Sequence, residues 1–204
     1  EMINESRKPV ICAGGGVNTA GAEEELMELV QKANIPVVTT LMGTGAFPAH
    51  HPLHIGMIGM HGTSLANKII TDADLIIAAG ARFADRTVGN VEGFAPKAKI
   101  IHIDIDPAEI GKNIPVHTPI VGDVKHILGQ IAKNVKLQAT TDWSNYVTSL
   151  KQKVVFKYNG EHLNPVEVIR QLSNKTKGKA IITTEVGCHQ MWTAQHYEFI
   201  KPRT

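Results

Sequence analysis

Short apolar runs alternate with longer stretches of helical periodicity along the first two thirds of the chain. Residues 8–13 form an apolar run closed by Gly14-Gly15-Gly16, which predicts a short buried strand and a turn. Residues 20–32 place Leu26, Met27, Leu29 and Val30 at helical spacing, with Glu23, Glu24 and Glu25 near the helix's positive end. Residues 35–40 predict a second strand, and a Gly/His/Pro-rich loop follows from about Leu41 to Gly62. Thr63 or Ser64 offers an N-cap for a helix through Ile70. Residues 74–79 and 99–105 are further apolar strands, and Pro107 suits the first turn of a short helix. A short strand at 119–123 and a helix at 124–134 close the pattern.

Strands alternating with helices predict an α/β fold, a doubly wound parallel sheet with helices on both faces. The strands are apolar throughout, as burial on both sides requires. This first domain spans residues 1–135. The texture then changes. Residues 136–160 read as a linker, with a helix over 143–156 broken at Tyr158-Asn159-Gly160. Asn164-Pro165 opens another helix, residues 180–185 predict a strand, and Val186 to Trp192 leads into a helix. Residues 161–204 thus read as the truncated start of a second α/β domain. The charged opening and the stop at Thr204 suggest a fragment of a longer polypeptide.

The 204 residues carry 21 Lys+Arg against 19 Asp+Glu, which argues against a basic nucleic-acid platform. No run of about 18 apolar residues suggests a membrane span, and the first residues lack the apolar core of a signal peptide. Cys12 and Cys188 lie far apart and suggest neither a disulfide framework nor a zinc site; a reducing compartment is the default. His50, His51, His54 and His61 cluster in the sequence, but no Glu or Cys completes a ligand set, so no metal site is expected there.

The most informative segment is Gly80-Ala81-Arg82-Phe83-Ala84-Asp85-Arg86-Thr87-Val88-Gly89-Asn90. It follows a buried strand, at the edge where open α/β sheets bind ligands. Arg82 and Arg86 in that position suit a phosphate or carboxylate, because the guanidinium fork pairs with either; a solvated turn with ordinary ion pairs is the alternative. Gly14, Gly15 and Gly16 allow a phosphate to approach backbone, or simply a tight turn. The GxGxxG fingerprint fails, since Thr19 stands where the third glycine belongs, and Thr39-Thr40-Leu41 offers no acid for a ribose. Asp104, Asp106 and Asp123 bring acids to two more strand ends, where Asp106 equally suits a helix cap.

Taken together, the segments 80–90, 102–107, 122–123 and 185–192 resemble the large catalytic subunit of the acetohydroxyacid synthase (acetolactate synthase) family, over nearly the whole chain. The resemblance implies a Rossmann-like, DHS-like FAD-binding central domain followed by the start of a domain that binds thiamine diphosphate (ThDP). It implies ThDP, FAD and Mg2+ as cofactors and a transferase that decarboxylates pyruvate and joins the two-carbon unit to a second 2-ketoacid, in branched-chain amino-acid synthesis. Carried over by position, Gly14, Gly15, Gly16, Thr40, Leu41, Met42, Gly59, Met60, His61, Gly80, Ala81 and Arg82 would line the FAD. Asp104, Ile105, Asp123 and Val124 would meet its adenosine or ribityl side. Arg86, with Asp85 beside it, would read the second ketoacid's carboxylate, and Gly187, Cys188, His189 and Gln190 would approach the ThDP diphosphate.

The chain departs from the family at three points. Ala84 stands where the family has Asp, Thr87-Val88 reverses its Val-Thr, and Cys188 replaces its Gln. The resemblance also implies a homo-oligomer (dimer or tetramer), a regulatory small subunit, 2-ketoacid substrates, and a location that is cytoplasmic in bacteria or organellar in eukaryotes. The family's catalytic Glu belongs to a domain N-terminal to this segment and its Mg2+-binding segment would lie beyond Thr204. The chain alone is therefore expected to make no acetolactate. Glyoxylate carboligase, pyruvate oxidase and a non-catalytic nucleotide-binding module are the rival readings.

Overall fold

The computed structural model describes residues 1–136, 141–154 and 162–204. Six parallel strands form one sheet: β1 (Pro9–Ala13), β2 (Val37–Thr39), β3 (His54–Met57), β4 (Leu75–Ala79), β5 (Lys99–Asp104) and β6 (Thr118–Val121), in the order β3-β2-β1-β4-β5-β6. The helices are α1 (Met2–Glu5), α2 (Gly15–Ala20), α3 (Glu23–Ala33), α4 (Ser64–Asp72), α5 (Asp85–Val88), α6 (Val124–Asn134), α7 (Thr141–Lys153), α8 (Pro165–Thr176) and α9 (Cys188–His196).

Side chains that alternate across the strands build two cores, as a period of two requires. Ile11, Ala13, Ile77, Ala79, Ile101 and Ile103 pack beneath α3 and α6. Val10, Cys12, Ile76, Ala78 and Ile100 face α4 and α7 on the opposite side. Burial keeps the Cys12 thiol protonated and inert, pushed up to about 12. α7 closes the second core: Trp143 and Val147 are buried, and the Trp143 indole donates to the Pro9 carbonyl at 3.1 Å. At the same edge of the sheet Asp74 accepts from the Arg7 and Lys8 amides, tying the entry of β1 to the entry of β4.

Several elements differ from those the patterning predicts. A strand, β3, lies inside the Gly/His/Pro loop, since its half-polar residues His54 and Gly56 hide the apolar period. The glycine turn runs directly into a further helix, α2, which ends at Gly21 in a left-handed conformation, and the helix predicted over 20–32 starts after it as α3. The residues after Pro107 make only hydrogen-bonded turns. Residues 180–185 form no strand, because no neighbouring strand among the described residues supplies hydrogen-bond partners. The break predicted at Tyr158-Asn159-Gly160 lies outside the described residues. Asn164 caps α8 through the Val166 amide and Thr63 caps α4 through the Ala66 amide, so both Ncap–helix readings hold.

His54 supplies a test of the β3 edge. Burial, reinforced by Lys151 and His51, pushes its imidazole down to about 4. Its folded-state value is depressed, so its stabilising contribution is complete above the ordinary value of 6.5 and drains as pH falls toward about 4. Urea unfolding should show stability falling between about pH 6.5 and 4.5, with His54→Asn removing up to about 3 kcal/mol of that slope.

Candidate functional site

Because all six strands are parallel, their carboxyl ends share one edge. Register aligns them closely: Ala13 pairs with Thr39 and Ala79, Ala79 with Ile103, and Asp104 with Val121. The residues that follow these pairs therefore stand in one row. The chain order reverses between β1 and β4, and in open α/β sheets that reversal opens the ligand crevice.

The two loops at the reversal are pressed together. A Cβ on Gly14 would strike the Gly80 carbonyl, and one on Gly16 would lie 2.6 Å from the Gly80 Cα. The Gly16 amide donates to the Gly80 carbonyl at 3.0 Å, and Gly80 has φ of +58°. The glycine run thus serves backbone-to-backbone contact first, beyond any role toward a ligand. Asn18 adds a second tie by donating to the Met42 and Thr44 carbonyls at 3.0 and 3.1 Å.

The residues anticipated at this edge divide into two groups. Leu41, Met42, Met60 and Ile105 are exposed apolar side chains at strand tips, with Ile105 and Met42 each 70% exposed. His61, Arg82, Asp85, Arg86 and Asp123 are exposed polar groups. Among the described residues neither Arg82 nor Arg86 forms an ion pair, and both residues are exposed. Gly14, Ala81 and Val124 are buried, and Val124 belongs to the core under α6, so only their backbones are placed to meet a ligand. Gly15, Gly16, Thr40 and Gly59 are partly buried.

Local bonds account for several of the acids. Asp123 caps α6 through the His126 amide, and Asp85 accepts from the Arg86 amide at 2.8 Å. Asp106 accepts from the Ala108 amide, and the buried Asp104 takes the Asp106 amide on Oδ1. Thr40 caps a turn at Leu41–Gly43. Gly187, Cys188, His189 and Gln190 lie apart from the row, at the start of α9. That helix meets the edge where Gln195 donates to the His61 carbonyl at 2.6 Å.

Beneath the Gly80–Arg86 loop, Phe83 is buried with φ of +49° and meets His102 edge-on at 5.2 Å and Phe94 at 5.8 Å. His102 is 1% exposed, and neither ring nitrogen makes a hydrogen bond among the described residues. Burial lowers its basicity against weaker opposing pulls from the Ala81 backbone, Asp104 and Glu109. Patterning marks His102 only as part of a strand, and it marks Asn18 and Asn113 not at all. Asn113 donates to the Arg82 carbonyl at 3.0 Å.

Two cavities lie outside the row. One of about 460 Å³ sits between β3 and the α8–α9 segment, beside His54 and Lys151. The other, of about 560 Å³, lies between α3 and Ile200, Lys201 and Pro202. Among the described residues no three His, Cys, Asp or Glu side chains gather to hold a metal ion. No helix there is long and apolar enough to cross a membrane.

This strand order, with its tight glycine contact at the reversal, agrees with a comparison against protein families: residues 1–131 match the thiamine pyrophosphate enzyme central domain. The chain belongs to that family. Curated relatives agree. The chain is 46% identical over 218 residues to a probable acetolactate synthase large subunit of Methanocaldococcus jannaschii, covering 100% of this chain and 36% of the relative. It is 47% identical over 212 residues to the acetolactate synthase large subunit of Corynebacterium glutamicum, covering 100% and 34%. It is 46% identical over 212 residues to acetolactate synthase 1, chloroplastic, of Oryza sativa subsp. japonica, covering 99% and 32%. The chain thus spans about a third of the length of the relatives it matches.

Position 84 has a clear structural setting. Ala84 is the N-cap of α5 and makes no side-chain capping bond. An aspartate there is suited to cap that turn. Ala84→Asp should therefore raise unfolding stability by about 1 kcal/mol, read as a higher urea midpoint. Gly80→Ala should do the reverse. The left-handed backbone and the overlap with Gly16 together should cost at least about 2 kcal/mol, and trypsin should cut faster after Arg82 as the two loops separate.

Proposed function

We propose that this chain is the central part of an acetolactate synthase large subunit, which decarboxylates pyruvate and transfers the two-carbon unit to a second 2-ketoacid. The observation that carries the reading is the pair of solvent-facing arginines, Arg82 and Arg86, free of carboxylate partners among the described residues, on the edge where β1 and β4 diverge. The acetolactate synthase names of the relatives support it. Residues 1–135 are taken as the FAD-binding-type central domain, 136–160 as a linker whose helix α7 packs onto that domain's second core, and 161–204 as the start of the diphosphate-binding domain.

The residues present fit an elongated dinucleotide. Close backbone packing at Gly14, Gly16 and Gly80 leaves the crevice floor without side chains, so a flat or phosphorylated ligand can lie near the main chain. Gly15, Thr40, Gly59 and His61, with the backbones of Gly14, Gly16, Gly80 and Ala81, would line FAD. The exposed Leu41, Met42, Met60 and Ile105 offer apolar surface to its rings. Arg82 would face its diphosphate, and Asp104, Asp123 and the Val124 backbone its adenosine or ribityl side.

Arg86 would bind the second ketoacid's carboxylate, holding it in register for the new bond, and Asp85 orders the turn that carries Arg86. Gly187, Cys188, His189 and Gln190 would approach the ThDP diphosphate through the start of α9. When bound, ThDP supplies the carbon nucleophile for carboligation. Mg2+ would accompany the diphosphate, and no residue of this chain is assigned to it. A homo-oligomer and a regulatory small subunit belong to the same proposal, as does a cytoplasmic or organellar location.

Added FAD should stabilise the chain by about 2.7 kcal/mol at a hundredfold excess over Kd, while NAD should not. Absence of both a thermal shift and retained flavin absorbance would count against the reading. In the full-length subunit, Arg86→Ala should lower kcat/KM for the second ketoacid by about a hundredfold, as expected for loss of a charge-assisted hydrogen bond, with flavin still bound. Unchanged carboligation in that variant would refute the role of Arg86.

A further inference from the structure

Asn67 stands on α4, off its buried face of Leu65, Ala66, Ile69 and Ile70. A polar residue there reads as ordinary solvent surface, yet its whole carboxamide is committed. Oδ1 accepts from the Gly59 amide at 2.9 Å, and Nδ2 donates to the Gly59 carbonyl at 2.9 Å. Holding both polar groups of one residue fixes the peptide planes on either side of it. The turn is closed further by the Gly62 amide on the Gly59 carbonyl and by the Thr63 amide on the Met57 carbonyl.

The clamped turn presses directly on the residue assigned to the substrate. A Cβ on Gly59, whose φ is +109°, would lie 2.6 Å from the Arg86 carbonyl oxygen and 3.1 Å from the Thr87 Cα. The next amide, Met60, donates to that same Arg86 carbonyl at 2.8 Å. Arg86 itself belongs to α5, four residues long and without a side-chain cap. So short a helix has little stability of its own, and outside contacts set its position.

We propose that Asn67 is a positioning residue for Arg86: through Gly59 and Met60 it fixes the backbone from which the guanidinium reaches the second ketoacid's carboxylate. The inference rests on the carboxylate-binding role assigned to Arg86 above. It assigns to α4, on the flank of the sheet, control over a group at the crevice. Asn67→Ala removes both bonds to Gly59, and Asn67→Asp keeps the acceptor for the Gly59 amide while losing the donor. The turn then loosens, and Arg86 keeps its charge but loses its fixed origin.

The test uses the full-length subunit, with the second 2-ketoacid varied at saturating pyruvate. Asn67→Ala should raise KM for that ketoacid about tenfold with kcat within about twofold, since misplacing a positioning group weakens binding of the carboxylate. Asn67→Asp should fall between Asn67→Ala and the parent. Ile69→Val, a packing change on the same helix, should leave KM unmoved and so control for loss of stability. In an Arg86→Ala background the Asn67→Ala effect on KM should vanish, because the two act through one group.

A second readout needs no activity: trypsin should cut after Arg86 about tenfold faster in Asn67→Ala than in Ile69→Val, as a loosened turn opens more often. The failures are distinguishable. If Arg86→Ala leaves the ketoacid KM unchanged, the substrate role of Arg86 falls and this inference falls with it. If Arg86→Ala raises KM but Asn67→Ala does not, or its effect persists in full without Arg86, only the positioning role is overturned. Equal trypsin rates in the two α4 variants would also overturn it.

Discussion

The molecule depends on one close approach, the contact between the loops that leave β1 and β4. Gly14 and Gly16 lie against Gly80 with no room for a side chain on either side. Parallel strands can end level in many sheets, but here the chain reverses direction between those two strands. The loops are therefore obliged to turn to opposite faces, and only glycine lets them do so while in contact. What results is a bare backbone floor with side chains on its rims. The exposed apolar residues at the strand tips and the two arginines, without ion-pair partners among the described residues, are those rims.

Most of this architecture is legible in the sequence, because buried parallel strands announce themselves as unbroken apolar runs. Strands β1, β4 and β5 and the helix α6 follow directly from that pattern. β3 does not, because an edge strand with His54 and Gly56 on it carries too little apolar character. The run at 180–185 looks like a strand for the same reason that β1 does, yet apolar residues alone make no strand without neighbours. The edge that carries the candidate site is legible from its glycines and arginines. Its supports are not. Asn18, Asn67 and Asn113 act through backbone groups brought near only by folding, and a lone asparagine on a helix gives no signal of that.

Several groups that look chemical in the sequence also do structural duty. Asp123 caps a helix, Asp85 orders a turn, and the Val124 side chain fills the core. His54 is held neutral by burial at the β3 edge. On the proposed reading, Arg82 and Arg86 are the charged side chains of the edge that carry no structural bond of their own among the described residues. Ala84 stands at a helix N-cap without a capping side chain.

The most direct test of the central claim is to map amide chemical shifts in the chain while FAD is added. The account predicts that the perturbed amides cluster at Gly15, Gly80, Arg82, Asp104 and Ile105, on the tips of three neighbouring strands. Perturbations confined to the cavity beside His54 and Lys151, or none at all at saturating flavin, would contradict it.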